Sequence, residues 1–120
     1  MAIVSVHRLL TLFVTAALVT GCAATALAPG AERVLVSRNA PPGECQAVGN
    51  ITGSQGNWLT GPWTSNQTLT EGALNELRNN ASKLGATYVQ LEDSKAAMSF
   101  SEGSGSQTSV TNVGTAYRCQ

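Results

Sequence analysis

Few side chains in this 120-residue chain could do covalent or acid–base chemistry. Three are thiols: Cys22, Cys45 and Cys119. The one histidine, His7, lies in an N-terminal stretch that reads as a secretory leader, with a basic start (His7, Arg8), an apolar run over residues 9–19 and small residues at its end. Once that leader is removed the remaining chain has no imidazole base and no histidine ligand. This excludes Ser-His-Asp and Cys-His catalysis and most zinc sites. The acids are scattered. Glu92 and Asp93 are adjacent, and neighbours in a regular strand point to opposite faces, so the two carboxylates are not expected to work as a pair. Gly103-Ser104-Gly105 lacks the following helix that a phosphate cradle needs. The residue types therefore point away from an enzyme and call for no cofactor or metal. The thiols and the two tryptophans, Trp58 and Trp63, are left to be explained.

The apolar run is shorter than the roughly 20 residues a transmembrane helix requires, so it reads as a cleaved segment. It ends in Val19-Thr20-Gly21-Cys22. That tetrapeptide resembles the bacterial lipobox: a branched apolar residue, a small residue, Gly or Ala, then Cys. The resemblance implies that the Cys22 thiol takes a diacylglycerol, that cleavage falls between Gly21 and Cys22, and that the new amino group is acylated. Each buried CH₂ adds about 0.8 kcal/mol, so two or three chains anchor stably in a bilayer where one does not. Ala23 follows the anchor. In the usual Gram-negative sorting rule an Asp there retains a lipoprotein at the inner membrane, so the expected location is the periplasmic face of the outer membrane.

Cleavage at that point leaves 99 residues, the 120 less the leader's 21, enough for one small domain. Of the seven Lys/Arg only Arg8 is lost, against seven Asp/Glu, so the net charge falls near −1. Such a chain has no electrostatic footprint for nucleic acid and no polybasic membrane patch. With Cys22 assigned to lipid, Cys45 and Cys119 remain as an even pair. In an oxidising compartment they are most simply a disulfide. Two free thiols or half a metal site are the alternatives.

The elements that position these residues follow from local pattern. Residues 22–31, with Pro29 and Gly30, have no periodicity and read as a lipidated N-terminus and short tether. Residues 32–37 are rich in branched side chains and predict a strand. Pro41-Pro42-Gly43 breaks it. Residues 45–52 form a second strand by period two, with Cys45, Ala47, Gly49 and Ile51 on one face. Residues 53–65 are polar, Gly-rich and loop-like, yet hold both tryptophans. Either these form an exposed aromatic patch for a partner, a glycan or the membrane interface, or they fold back over the open face of a small sheet. Residues 68–86 predict a helix. Thr68 and Glu71 fit a capping box, and Ala73, Leu74, Leu77, Ala81 and Leu84 make one apolar stripe. Asn75, Arg78, Asn79, Ser82 and Lys83 fall on the wet side, and Gly85 is the expected left-handed stop. Residues 87–92 alternate as a third strand that could run on through 98–100. Residues 101–109 are low in complexity and loop-like, and 110–119 form the last strand. The expected fold is α+β: one β-β-α-β-β domain over residues 32–120, a helix packed on one face of a mainly antiparallel four-stranded sheet, stapled by one disulfide. The two cysteines meet if the second and fourth strands are antiparallel neighbours, or nearly so.

Three stretches together carry a wider likeness: residues 44–49 (Glu-Cys-Gln-Ala-Val-Gly), residues 77–89 across the helix end, and residues 114–119 (Gly-Thr-Ala-Tyr-Arg-Cys) at the terminus. They resemble small bacterial lipoproteins of domain-of-unknown-function family 4156, over most of residues 32–120. More distantly the chain is similar to the outer-membrane lipoprotein sensor of the Rcs envelope-stress phosphorelay, which has a compact disulfide-stapled α/β domain with more cysteines and a long Pro-rich tether. The resemblance implies a non-enzymatic envelope lipoprotein whose partners are the bilayer, through acylated Cys22, and an unidentified envelope protein. The alternative is a small-ligand or cell-wall-glycan binder that uses the Trp58/Trp63 loop.

Overall fold

The structure is a computed structural model that describes residues 23–57, 61, 64–101 and 104–120. After a 3₁₀ turn at Ala31–Arg33 come β1 (Leu35–Ser37), β2 (Cys45–Gly56), α1 (Asn66–Lys83), β3 (Tyr88–Ser101) and β4 (Ser104–Cys119). This is the expected β-β-α-β-β order, with one helix on a four-stranded sheet. The sheet order is β1-β3-β4-β2, in which β1 pairs with β3 in parallel and the β3–β4 and β4–β2 pairs are antiparallel. The second and fourth strands are therefore antiparallel neighbours, as the cysteines required. The first two strands end up on opposite edges, and β4 is inserted between β2 and β3. The Pro41-Pro42-Gly43 segment is accordingly an arch from one edge of the sheet to the other, not a hairpin turn.

The helix starts earlier than its capping box suggests. Ser65 is the N-cap, in extended backbone, and its Oγ accepts from Thr68 N at 3.1 Å. Thr68 thus occupies the third helical position; its hydroxyl oxygen accepts from Ser65 Oγ at 2.7 Å. A serine three residues before Thr68 offers the same oxygen-to-amide geometry one turn upstream, and that upstream cap prevails. The other end follows the expected pattern. Gly85 has φ +72°, Gly85 N donates to Ser82 O and Ala86 N to Ala81 O, both at 3.0 Å. These two bonds satisfy carbonyls that the helix end would leave orphaned.

The buried seam of α1 is Leu69, Ala73, Leu77 and Ala81, all with no exposure, flanked by Gly72. Leu74 is only half-buried and Leu84 is 42% exposed, so these two leave the stripe expected of them. The seam is rich in small residues because the helix lies very close to β2. A Cβ on Gly53 would sit 2.3 Å from Leu77 N and 2.6 Å from Ala73 O. Leu77 and Ala81 join Val34, Ile51, Ala86, Val89 and Ala116 in the main core, and Leu69, Ala73 and Val110 form a second cluster. Between Val110 and Ala116, on the same face of β4, lies Asn112, 2% exposed, whose Nδ2 has no hydrogen-bond partner among the described residues.

The loop expected over residues 101–109 is largely strand. Backbone pairing carries β4 back to Ser104, opposite Ser101, and β3 runs on to the same point. Thr108 is buried there, with the Gly61 backbone packed directly over it. A polar segment with no alternating pattern gives no strand signal of its own. Its register comes from the hairpin and from Ser109 pairing with Gly56 of β2.

Candidate functional site

Of the residues singled out in the sequence, Cys45 and Cys119 are brought together. They are register partners at the end of the β2–β4 ladder, joined by a disulfide with Cα atoms 4.2 Å apart and 74 positions of chain between them. Cys22, Trp58 and Trp63 lie outside the described residues, as does the leader.

The helix covers only one side of the sheet. On β4 the even residues from Thr108 to Ala116 are buried and the odd ones are only half-buried, so Thr111, Val113, Thr115 and Tyr117 point to the uncovered side. Antiparallel partners share a face, which adds Asn50, Thr52 and Ser54 from β2 and Gln90, Asp93 and Lys95 from β3. Glu92 belongs here too. The β3–β4 register shifts between Leu91 and Asp93, so Glu92 is bulged, and its Oε1 accepts from the Thr115 hydroxyl at 2.5 Å. The two acids expected on opposite faces therefore occupy the same one, because the bulge cancels the alternation. No local feature of residues 90–94 announces it.

This open face is a polar platform held by its own contacts. The Thr115 hydroxyl also lies 3.2 Å from the Asn50 side-chain amide. Asp93 pairs with Lys95 at 3.3 Å, both well exposed. At the disulfide end, Tyr88 and Tyr117 meet edge-on with ring centroids 6.5 Å apart, and Tyr117 donates to Gln90 Oε1 at 3.4 Å. Tyr88 is 6% exposed because the arch between β1 and β2 crosses over it; its hydroxyl donates to Asn39 O at 2.7 Å. The rest of the platform is uncovered among the described residues. Its chemistry is hydrogen bonding by hydroxyl, amide and carboxylate groups, suited to contact with another polar surface. Among the described residues no three His, Cys, Asp or Glu side chains gather into a metal-binding group.

On the opposite side, a groove of about 610 Å³ runs along α1, lined by Gln67, Thr70, Glu71, Leu74 and Arg78 and closed by Gln107 of β4. Beside it, residues 23–34 do not hang free. Asn75 and Asn79, which periodicity assigns to the wet side, hydrogen-bond to the backbone of this segment. Arg78 Nε donates to Val34 O at 3.3 Å. The signal available in the sequence was a pair of asparagines, poor helix formers, spaced four apart on an exposed helix face. No helix among the described residues is long and apolar enough to cross a membrane.

Compared with known proteins, residues 25–119 match the family model described as Domain of unknown function (DUF4156). The chain is 35% identical over 75 residues to proteins named "Uncharacterized protein YjeI" from Escherichia coli K12, Escherichia coli O6:H1 and Shigella flexneri. That alignment covers 62% of this chain and 64% of the length of each relative. No solved structure matches the chain.

Proposed function

The chain belongs to the family Domain of unknown function (DUF4156), and from that membership we propose that it is a non-enzymatic lipoprotein of the bacterial envelope. In this reading acylated Cys22 anchors it to the periplasmic face of the outer membrane, and its open sheet face binds another protein. The observation that carries the reading is the Cys45–Cys119 disulfide, a bond that persists in oxidising compartments and is rare in the cytosol. It stands downstream of an apolar leader ending in Val19-Thr20-Gly21-Cys22. The polar platform around Thr115, Glu92 and Asn50 supports protein interaction, and the proposed setting is envelope stress. No imidazole follows His7 in the sequence, which supports a binding role over catalysis.

Mass spectrometry of the mature protein from its host should find acyl groups on residue 22 and a cut after Gly21. Cys22→Ser should release the protein from the membrane fraction. Photocrosslinkers placed at Thr115 or Asn50 in intact cells should capture a discrete protein band, while the same group at exposed Lys83 should not. An unmodified or differently cut terminus would remove the anchor, and equal capture from both surfaces would remove the proposed interface.

A second reading, a small-ligand or cell-wall-glycan binder, is favoured by the groove beside α1, whose half-buried Leu74 sits among hydrogen-bonding side chains. Saturable binding of muropeptides, abolished by Arg78→Ala, would favour it over protein interaction.

A further inference from the structure

The segment between the proposed anchor and the first strand is gripped along its backbone. Gln55 Oε1 accepts from Thr25 N at 3.0 Å and also from the Thr25 hydroxyl. Asn75 Nδ2 donates to Thr25 O at 2.8 Å. Asn79 uses both ends of its amide: Nδ2 donates to Ala26 O at 2.9 Å, and Oδ1 accepts from Ala28 N at 2.7 Å. The segment then ends in Ala31 and Val34, which are 0% and 3% exposed. Apart from the Thr25 hydroxyl the groups held are peptide groups, so the strap's other side chains can be small. Most of residues 23–28 are alanine.

Cys22 is three residues from Thr25, so its Cα lies within about 11 Å of a pinned point even if the chain is fully extended. That point is at the far end of the edge strand β2, beside the β3–β4 hairpin, which runs on past it to Ser101 and Ser104. Gln55 is the penultimate residue of β2, and the disulfide closes the strand's other end. Ten residues of strand, at about 3.3 Å each, put the two roughly 33 Å apart. The N-terminal half of α1 lies at the Gln55 corner, where Leu69 and Gly72 pack against Gly56 and Gln55.

We propose that this strap fixes how the domain meets the bilayer, with the corner formed by Gln55, Asn75 and the start of α1 against the lipid headgroups and the disulfide end directed into the aqueous phase. The inference rests on Cys22 being acylated, as read above. An unbound tether over residues 23–31 could extend about 31 Å and let the domain tumble; the strap removes that slack. The exposed start of the helix offers uncharged Asn66, Gln67 and Thr70, and Glu71 and Arg78 beside it are of opposite sign. The contact is therefore set by the acyl chains and the strap, and does not depend on anionic lipid.

The test uses the acylated protein, purified from bacterial membranes and reconstituted in phosphatidylcholine vesicles that carry headgroup-quencher lipid. A fluorophore is placed at Gln67→Cys or at Lys83→Cys, two exposed helix positions about 24 Å apart. Quenching should be several-fold stronger at position 67 than at 83. The double variant Asn75→Ala/Asn79→Ala, checked by its melt to be folded, should bring that ratio close to one. Adding phosphatidylglycerol should leave the ratio unchanged. Equal quenching in the unreleased protein, or a ratio untouched by releasing the strap, overturns the proposal. Mass analysis of residue 22 and hydrogen exchange at Ala28 separate the two ways of failing. No acyl chain with a protected Ala28 amide would remove the lipoprotein reading, and the membrane contact with it, while the strap stands. An acylated protein with an unprotected Ala28 amide would remove the strap alone.

Discussion

Replacing Gly53 with alanine adds one carbon at the closest approach of helix and sheet. Its Cβ would lie 2.3 Å from Leu77 N and 2.6 Å from both Ala73 O and Leu77 Cα. All three are backbone atoms of α1, locked in the helix ladder, so none can rotate aside. Ordinary carbon contacts begin near about 3.5 Å, so β2 and α1 must part by roughly 1 Å, and a gap of that size forfeits about a quarter to a half of the dispersion attraction across it. Overpacking of this kind costs about 1–3 kcal/mol, against which alanine recovers about 0.5–1 kcal/mol of strand preference over glycine. A net loss of about 1–2 kcal/mol in a domain near 100 residues corresponds to a fall in Tm of about 5–15 °C. Gly49→Ala is the matched control. It lies on the same strand and the same face, but its Cβ would meet only the Leu84 Cδ1 methyl at 3.4 Å, on a side chain 42% exposed. It should leave Tm unchanged or raise it slightly. Thermal unfolding followed by circular dichroism on the two variants decides the matter. If Gly53→Ala melts with or above the wild type, or if the two variants shift alike, the close helix–strand contact inferred from the seam is wrong.

Three further perturbations test separate parts of the structure. The pair Cys45→Ser/Cys119→Ser opens a bridge that spans 74 positions and should lower the unfolding free energy by about 4 kcal/mol in a urea titration; overlapping curves would mean the bridge constrains little. Ser65→Ala should cost about 1 kcal/mol of stability, and Thr68→Ala clearly less, since the cap bond is made by the Thr68 backbone N–H; the opposite ranking would restore the cap to Thr68. Tyr88→Phe removes the hydroxyl that holds Asn39 O at 2.7 Å and should cost about 1 kcal/mol while speeding hydrogen exchange in residues 38–44. Unchanged exchange there would show that the arch is held by something else.

Local chemistry settled what could be settled within a turn or two of chain. Gly85 ends the helix because a residue with no Cβ takes φ +72° freely and lets two amides bond back to Ser82 and Ala81. Branched and alternating side chains marked the strands, and the even pair Cys45 and Cys119 marked the staple. Apart from the pairing of β2 with β4 that the two cysteines implied, which segments meet lay beyond that reach. The insertion of β4 between β2 and β3, and the extension of β4 to Ser104, are choices of partner, stabilised by pairing and burial that no window of sequence contains. One unpaired residue at Glu92 reverses the face of everything after it on β3, so the platform with Thr115 exists only once the register is set. The asparagines of α1 looked like solvent-facing residues because periodicity ranks side chains by polarity. Their amides instead hold a backbone some fifty positions away, since a peptide group needs partners wherever it is laid down and the sequence carries no mark of where that will be.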